Sequence, residues 1–171
     1  MQLHFRKCTR NDLKTLLNIS KTTFIDTFEK QINPDDFQNY IASAFNEDAF
    51  SSQLNNNNSN FYFAYVNHEL AGYFKLNTSD AQTDVNDPDA VELERIYILK
   101  SFQGQKIGTR MLHKAIAIAN ELHARYLWLS VWENNKSAIR FYEYHNFEKF
   151  GEHPSIIHKD IPPDWLMKRE L

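Results

Sequence analysis

Residues 91–122 read VELERIYILKSFQGQKIGTRMLHKAIAIANEL. The start of this stretch alternates and is rich in β-branched and aromatic types, which predicts a strand over Val91–Leu99. From Ile107 to Leu122, the residues Met111, Leu112, Ala115, Ile116, Ala119 and Leu122 recur at helical spacing. Between strand and helix lies Gln103-Gly104-Gln105-Lys106-Ile107-Gly108. A helix N-terminus carries unpaired N–H groups and partial positive charge, so this join suits a phosphate. The whole chain has only four glycines, and Gly104 and Gly108 are two of them. Glycine serves strained turns and close backbone approach. Lys106 and Arg110 add positive charge. A Walker A loop is excluded because Thr109, not lysine, follows Gly108, and the G-x-G-x-x-G fingerprint is absent. No apolar 20-mer surrounds the pair, so it is no membrane dimer face. Taken alone, the two glycines fit a plain helix-start turn equally well.

Downstream, Tyr126–Val131 is apolar on both faces and reads as a central, buried strand. Ser137–His145 is helical, and Phe147–Gly151 and Trp165–Leu171 read as final strands. Upstream, Gln2–Lys7 is a strand, and Thr9 with Asp12 forms a variant capping box ahead of a helix reaching Thr27. Asn33-Pro34-Asp35-Asp36 starts a second helix, and a third spans Glu47–Leu54. Asn55–Asn58 is a turn. Phe61–Val66 and Glu69–Leu76 form a hairpin around Asn67-His68. Asn77–Ala90, with Asp80, Asp84, Asp87 and Asp89, reads as a long loop. This order predicts a single domain over residues 1–171, of α/β or α+β class, with a mixed sheet.

Composition narrows the function classes. The chain has 171 residues, a size that buries roughly 70% of its unfolded surface without staples. Cys8 is the sole cysteine, so an intramolecular disulfide is excluded and a reducing, cytoplasmic setting is expected. Nineteen Lys and Arg against 22 Asp and Glu leave a charge of -3, which gives nucleic-acid binding no basic surplus. No apolar run is long enough to span a membrane, and MQLHFRKC carries no leader-like h-region. His153 and His158 lack further ligands nearby, so no metal is expected. His113, His123 and His145 read as solvated or cap-adjacent, and Cys8 as a small buried hydrophobe. Trp132 is a candidate wall of a substrate groove.

A second motif changes the weight of the glycine pair. Asn135-Lys136-Ser137-Ala138-Ile139-Arg140-Phe141-Tyr142 follows the central strand. With Gln103, Gly104 and Gly108, and with Glu92-Leu93-Glu94-Arg95-Ile96-Tyr97-Ile98 before them, it resembles the GNAT superfamily of N-acetyltransferases. That family's pattern is Q/R-x-x-G-x-G/A opening a helix, then N-x-x-A-x-x-F-Y after the next strand. The likeness is strongest over residues 91–150. Lys106 stands where the family has its central glycine, and Asn146 where it has a later one. Asparagine is the next-best residue for a left-handed helix end.

The resemblance implies a central, mostly antiparallel sheet of about seven strands with helices on both faces, splayed between the fourth and fifth strands. It implies acetyl-CoA as co-substrate, with direct transfer of its acetyl group to an amine. The pantetheine arm would pair with the strand at Ile96, Tyr97 and Ile98. Gln103, Gly104, Gln105, Lys106, Ile107, Gly108 and Thr109 would hold the pyrophosphate, and Asn135 would hydrogen-bond the cofactor. Tyr142 would be the general acid toward the thiolate. Glu92 fits the base better than Glu94, which shares its face of the strand by the period-2 rule. The E-L-E-R-I-Y-I-L run and the ending at Asp164-Trp165-Leu166-Met167 are similar to the spermidine/spermine branch. The acidic loop would attract such a cationic amine. The alternatives are a protein or peptide amine, or a CoA-binding regulatory domain without turnover. Homodimers are common in the family, and no membrane partner is expected.

Overall fold

The computed structural model describes residues 2–155, 157 and 161–171. Its strands are β1 (Leu3–Lys7), β2 (Ser59–Val66), β3 (Glu69–Asn77), β4 (Ala90–Ile98), β5 (Tyr126–Trp132), β6 (Glu148–His153) and β7 (Asp164–Glu170). Its helices are α1 (Leu13–Phe28), α2 (Pro34–Ala44), α3 (Glu47–Asn55), α4 (Ile107–Glu121) and α5 (Lys136–Tyr144). The strands form one sheet in the order β1-β2-β3-β4-β5-β7-β6. Every neighbouring pair is antiparallel except β4 and β5. The expected mixed, mostly antiparallel sheet is what forms.

Helices cover both faces, and each face has its own core. On one side α4 and α5 pack Met111, Leu112, Ala115 and Ile139 against Phe74, Leu93 and Leu129. On the other, α1, α2 and α3 pack Leu16, Phe24, Phe37 and Phe50 against Phe61, Phe63 and Tyr73. Burying each such side chain contributes about 1.5–3 kcal/mol. The two cores explain why β3 is buried along its length from Ala71 to Asn77. A strand sandwiched between helical layers has no solvent face.

The local signals act as expected. Asn33 accepts from the Asp35 N–H at 2.9 Å, with Pro34 in the first helical position. Asn67 and His68 both have positive φ, the geometry of a two-residue hairpin turn whose twist matches its strands. Several bounds differ from the sequence reading by a few residues. The Thr9–Asp12 capping box opens a 3-10 turn at Arg10–Asp12, and α1 begins only at Leu13. The long loop is shorter at both ends, 78–89. Asn77 looks like a loop residue but closes β3, because its buried amide donates to carboxylates of β4. His145 caps the C-terminus of α5, as one of its two expected settings had it, but it is buried rather than solvated, packed edge-on to Phe141 and His113. His158 lies outside the described residues.

β4 and β5 decide where a ligand fits. Their parallel pairing covers only Ala90–Glu92 against Tyr126–Trp128. Beyond Glu92 they part, while β3 stays paired with β4 as far as Ile98. The right-handed twist of neighbouring strands opens the sheet here as a wedge. A bulge adds to it: Lys75 pairs with Arg95 and Leu76 with Leu93, leaving Glu94 as the extra residue. Bulges bend a strand and re-aim its side chains.

Candidate active site

A cavity of about 500 Å³ fills the wedge. Its walls include Ile96, Tyr97 and Ile98 of β4, Val131 of β5, and Phe141 and Tyr142 of α5. Gln103, Gly104, Gly108 and Asn135 stand around the same space. Residues from the two separated motifs, expected to share a site, therefore surround one cavity. Gln105, Lys106, Ile107 and Thr109 do not line it. Ile107 is 1% exposed and packs into the core, so its side chain touches no ligand there. What this segment presents is backbone: the first N–H groups of α4 have no intrahelical acceptor.

The loop before α4 is built by positive φ. Gly104 has φ +77°, and Lys106, the residue capping α4, has φ 60°. The position at which the family resemblance implies a glycine is left-handed, and lysine adopts it at a cost of about 1–2 kcal/mol. Gly108 answers a different need. A Cβ there would sit 3.3 Å from Ile98 Cδ1, in the narrow contact between α4 and β4. Asn146 also has φ 64°, as expected of a substitute for glycine after α5.

Asn135 has a structural duty that the sequence reading did not assign. Its Oδ1 accepts from the Ala138 N–H at 3.2 Å and caps α5. Only its amide NH₂ is left for another partner. Tyr142 is buried, and among the described residues its hydroxyl has no hydrogen-bond partner; burial raises its pKa, so it stays protonated.

A second cavity of about 210 Å³ lies on the α1–α2 side of the sheet. Phe28, Glu94, Tyr97, Ser130 and Trp132 line both cavities, so the two meet where the strands part. The groove role raised for Trp132 fits this position. The deeper chamber also holds Asp84, Glu92, Arg95 and Asp164. Of the four loop aspartates, Asp84 alone lines it. Asp80 accepts from Asn58 at 2.7 Å, and Asp87 accepts from the Tyr126 hydroxyl at 2.8 Å. Those two brace the loop and do not face the chamber. Asp164, from β7, is the carboxylate that reading the loop alone missed, and its late position in the chain concealed it.

Glu92 and Glu94 form a buried chain of polar groups. Glu92 Oε2 accepts from Thr83 N–H and from Asn77 Nδ2, both at 2.9 Å, and Oε1 accepts from Thr83 Oγ1 at 2.5 Å. The same Asn77 amide nitrogen donates to Glu94 Oε2 at 2.6 Å. Lys75 Nζ donates to that Glu94 oxygen and, at 2.7 Å, to Gln53 Oε1. Burial, then the charge of Glu94, pushes the Glu92 carboxyl up from its ordinary value. Burial also opposes the charge of Glu94, but Lys75 and Arg95 outweigh it and hold that carboxyl below the usual range. The period-2 expectation holds for this pair, and it fails one residue later: the bulge puts Arg95 on the same side, its guanidinium over Phe45 and Phe50.

The profile of the acetyltransferase (GNAT) family matches residues 16–147. An uncharacterized N-acetyltransferase of Lactobacillus delbrueckii subsp. lactis is 37% identical over 95% of this chain and 94% of its own. The spermine/spermidine N(1)-acetyltransferase of Bacillus subtilis (strain 168) is 32% identical over 52% of this chain and 59% of its own. The crystal structure of the paiA N-acetyltransferase from Thermoplasma acidophilum, in complex with coenzyme A, superposes with a TM-score of 0.81. It is 19% identical and covers 100% of both chains, a likeness of fold.

Proposed function

The chain belongs to the acetyltransferase (GNAT) family, and from that premise we propose that it acetylates a primary amine of a small cationic molecule such as a polyamine. Acetyl-CoA dependence and N-acetyl transfer come with the family. The acceptor class rests chiefly on one observation: a chamber bearing Asp84, Glu92, Glu94 and Asp164 opens onto the end of the cofactor-sized cavity. Carboxylates draw in a polycation, and the rings of Phe28, Tyr97 and Trp132 can face its ammonium groups. The relative named for spermine and spermidine, matched over about half of this chain, supports the same reading. Residues 1–171 act as one domain in this proposal, placed in the reducing cytoplasm because Cys8 is a free, buried thiol.

In this reading the pantetheine arm adds to the free edge of β4 at Ile96–Ile98, and a backbone N–H there polarises the thioester carbonyl. The loop from Gln103 to Thr109 receives the pyrophosphate on backbone N–H groups. Asn135 offers the cofactor its amide NH₂ while its oxygen caps α5. The acceptor ammonium must first lose a proton, which costs roughly 4–5 kcal/mol at pH 7 for a lysine-like amine. Glu92 accepts that proton, directly or through water. The neutral amine attacks the thioester carbonyl, the C–S bond breaks, the thiolate takes a proton from Tyr142, and the proton that the nitrogen sheds as it becomes an amide restores the Tyr142 hydroxyl. The oligomeric state in this proposal is the homodimer common among relatives.

An acetyl-CoA consumption assay against polyamines, aminoglycosides, amino acids and peptides tests the acceptor. Spermidine or spermine should dominate kcat/KM. Equal turnover of peptides would overturn the polyamine reading. Retained cofactor binding without turnover on any amine would favour a binding domain.

A further inference from the structure

Glu92 is not alone in its chamber, and its neighbours are arranged asymmetrically. Among the described residues, the titratable and charged groups facing the same space are Glu94 and Arg95 from β4, Asp84 from the 78–89 loop, His153 from β6 and Asp164 from β7, with Lys75 of β3 behind Glu94. The hydroxyls of Tyr40, Tyr73 and Tyr97 lie around Arg95, with pKa values raised by burial, and stay neutral. Lys75 Nζ touches Glu94, and Arg95 Nε lies 3.5 Å from the other Glu94 oxygen. Among the described residues, Glu92 receives only neutral donors, from Thr83 and Asn77. His153 lies 3.8 Å from Asp84, and Ser130 Oγ lies 3.3 Å from Asp164, so these two acids have partners of their own. Lys75 and Arg95 therefore both serve Glu94, and a single amide nitrogen bridges the two glutamates.

We propose that Glu94 is a positioning residue for Glu92: locked as an anion by Lys75 and Arg95, it holds a fixed negative charge beside Glu92 and raises its affinity for the acceptor's proton. The physical reason is that two carboxylates sharing a buried site ionise in separate steps, and the member with the cations ionises first. The first ionisation belongs to Glu94. The second, at higher pH, belongs to Glu92, which is thereby made a stronger base than an isolated glutamate. No proton is created or lost in the arrangement. The acceptor ammonium's proton passes to Glu92 and leaves to solvent after transfer. The inference rests on the reading of Glu92 as base, and its tests separate the two.

The direct test uses the unaltered protein. Carboxyl-labelled glutamate followed by NMR through a pH titration should show one buried glutamate protonating well above the ordinary glutamate range. A second should stay ionised below it. Two buried glutamates titrating together near the ordinary value would overturn the proposal, whatever the base proves to be. The kinetic test uses Glu94→Gln, which removes the neighbouring charge. The acid limb of kcat/KM should move to lower pH by about one unit or more. Because Glu94→Gln strands Lys75, the neutral pair Lys75→Met with Glu94→Gln serves as the second variant. It should move the limb in the same direction but less, since the cation is gone too. A variant that only scales kcat at every pH, leaving the limb in place, marks Glu94 as merely structural and refutes the idea. Glu92→Gln separates the premise: full activity there removes Glu92 as base but leaves the NMR outcome intact.

Discussion

At the scale of single residues, left-handed backbone and buried charge leave measurable signatures. Lys106 occupies φ 60° without the freedom of glycine. Replacing it, Lys106→Gly, should raise stability by about 1 kcal/mol, seen as a higher denaturant midpoint at unchanged slope. Tyr142→Phe should remove most turnover while leaving acetyl-CoA affinity within a few-fold, as titration calorimetry would read, because the lost hydroxyl acts on the leaving thiolate. Asp12 offers a pH test. Its bond to Arg6, at 2.8 Å, holds the carboxyl at about 2. A depressed folded-state pKa contributes stability above the unfolded value of ~3.9, and that stability fades as pH falls toward the folded value. Asp12→Asn should therefore destabilise at pH 7, cost much less near pH 2 and nothing well below it, in parallel urea titrations. The motif residues were legible at this scale because their side chains or φ angles have few substitutes. The capping duty of Asn135 was not, since a motif position does not say which atom of the amide is already used.

Elements show how local structure is tied to the site. The 78–89 loop is anchored by Gln82, whose Oε1 accepts from the Trp128 indole at 2.7 Å and whose Nε2 donates to the Asp87 carbonyl at 2.8 Å. The next residue, Thr83, grips Glu92 through both its N–H and its hydroxyl. Gln82→Ala would leave a buried indole N–H unpaired, at a cost of about 1–3 kcal/mol, and loosen the grip of Thr83. A drop in thermal midpoint with a lower kcat is the expected pair of readouts. Helix α5 allows its two roles to be separated. Asn135→Asp keeps a capping oxygen, so stability should hold within a few tenths of a kcal/mol, whereas Asn135→Ala should lose about 1 kcal/mol. If the amide NH₂ serves the cofactor, both variants should weaken acetyl-CoA binding alike. Helix and strand periods made these elements readable. Their ends were less so at Asn77 and Leu13, where a buried side-chain bond or a 3-10 turn overrides propensity.

The whole molecule is organised around an opening in its sheet. A ligand that fills the wedge between β4 and β5 binds the folded state alone. At a concentration 100 times its Kd, acetyl-CoA should add about 2.7 kcal/mol. For a domain of this size that corresponds to roughly 5–10 °C in thermal midpoint. Failure of acetyl-CoA to shift the midpoint would contradict a preformed site between the strands.

Hydrophobic periodicity and turn chemistry let the sequence by itself determine the element order and the two-sided burial of the central strand Tyr126–Val131, while the resemblance to the acetyltransferases paired the two motifs. Those are properties of neighbouring residues, carried by spacings of two and of three to four. What only the tertiary structure decided is where pairing stops and which charges meet. The β4–β5 contact ends after Glu92, the bulge at Glu94 turns Arg95 inward, and Lys75, Asn77, Thr83 and Asp164 arrive from three other segments. Strand divergence depends on twist and packing summed over the sheet. The ionisation of a buried glutamate depends on partners brought near by folding, and no local pattern encodes either.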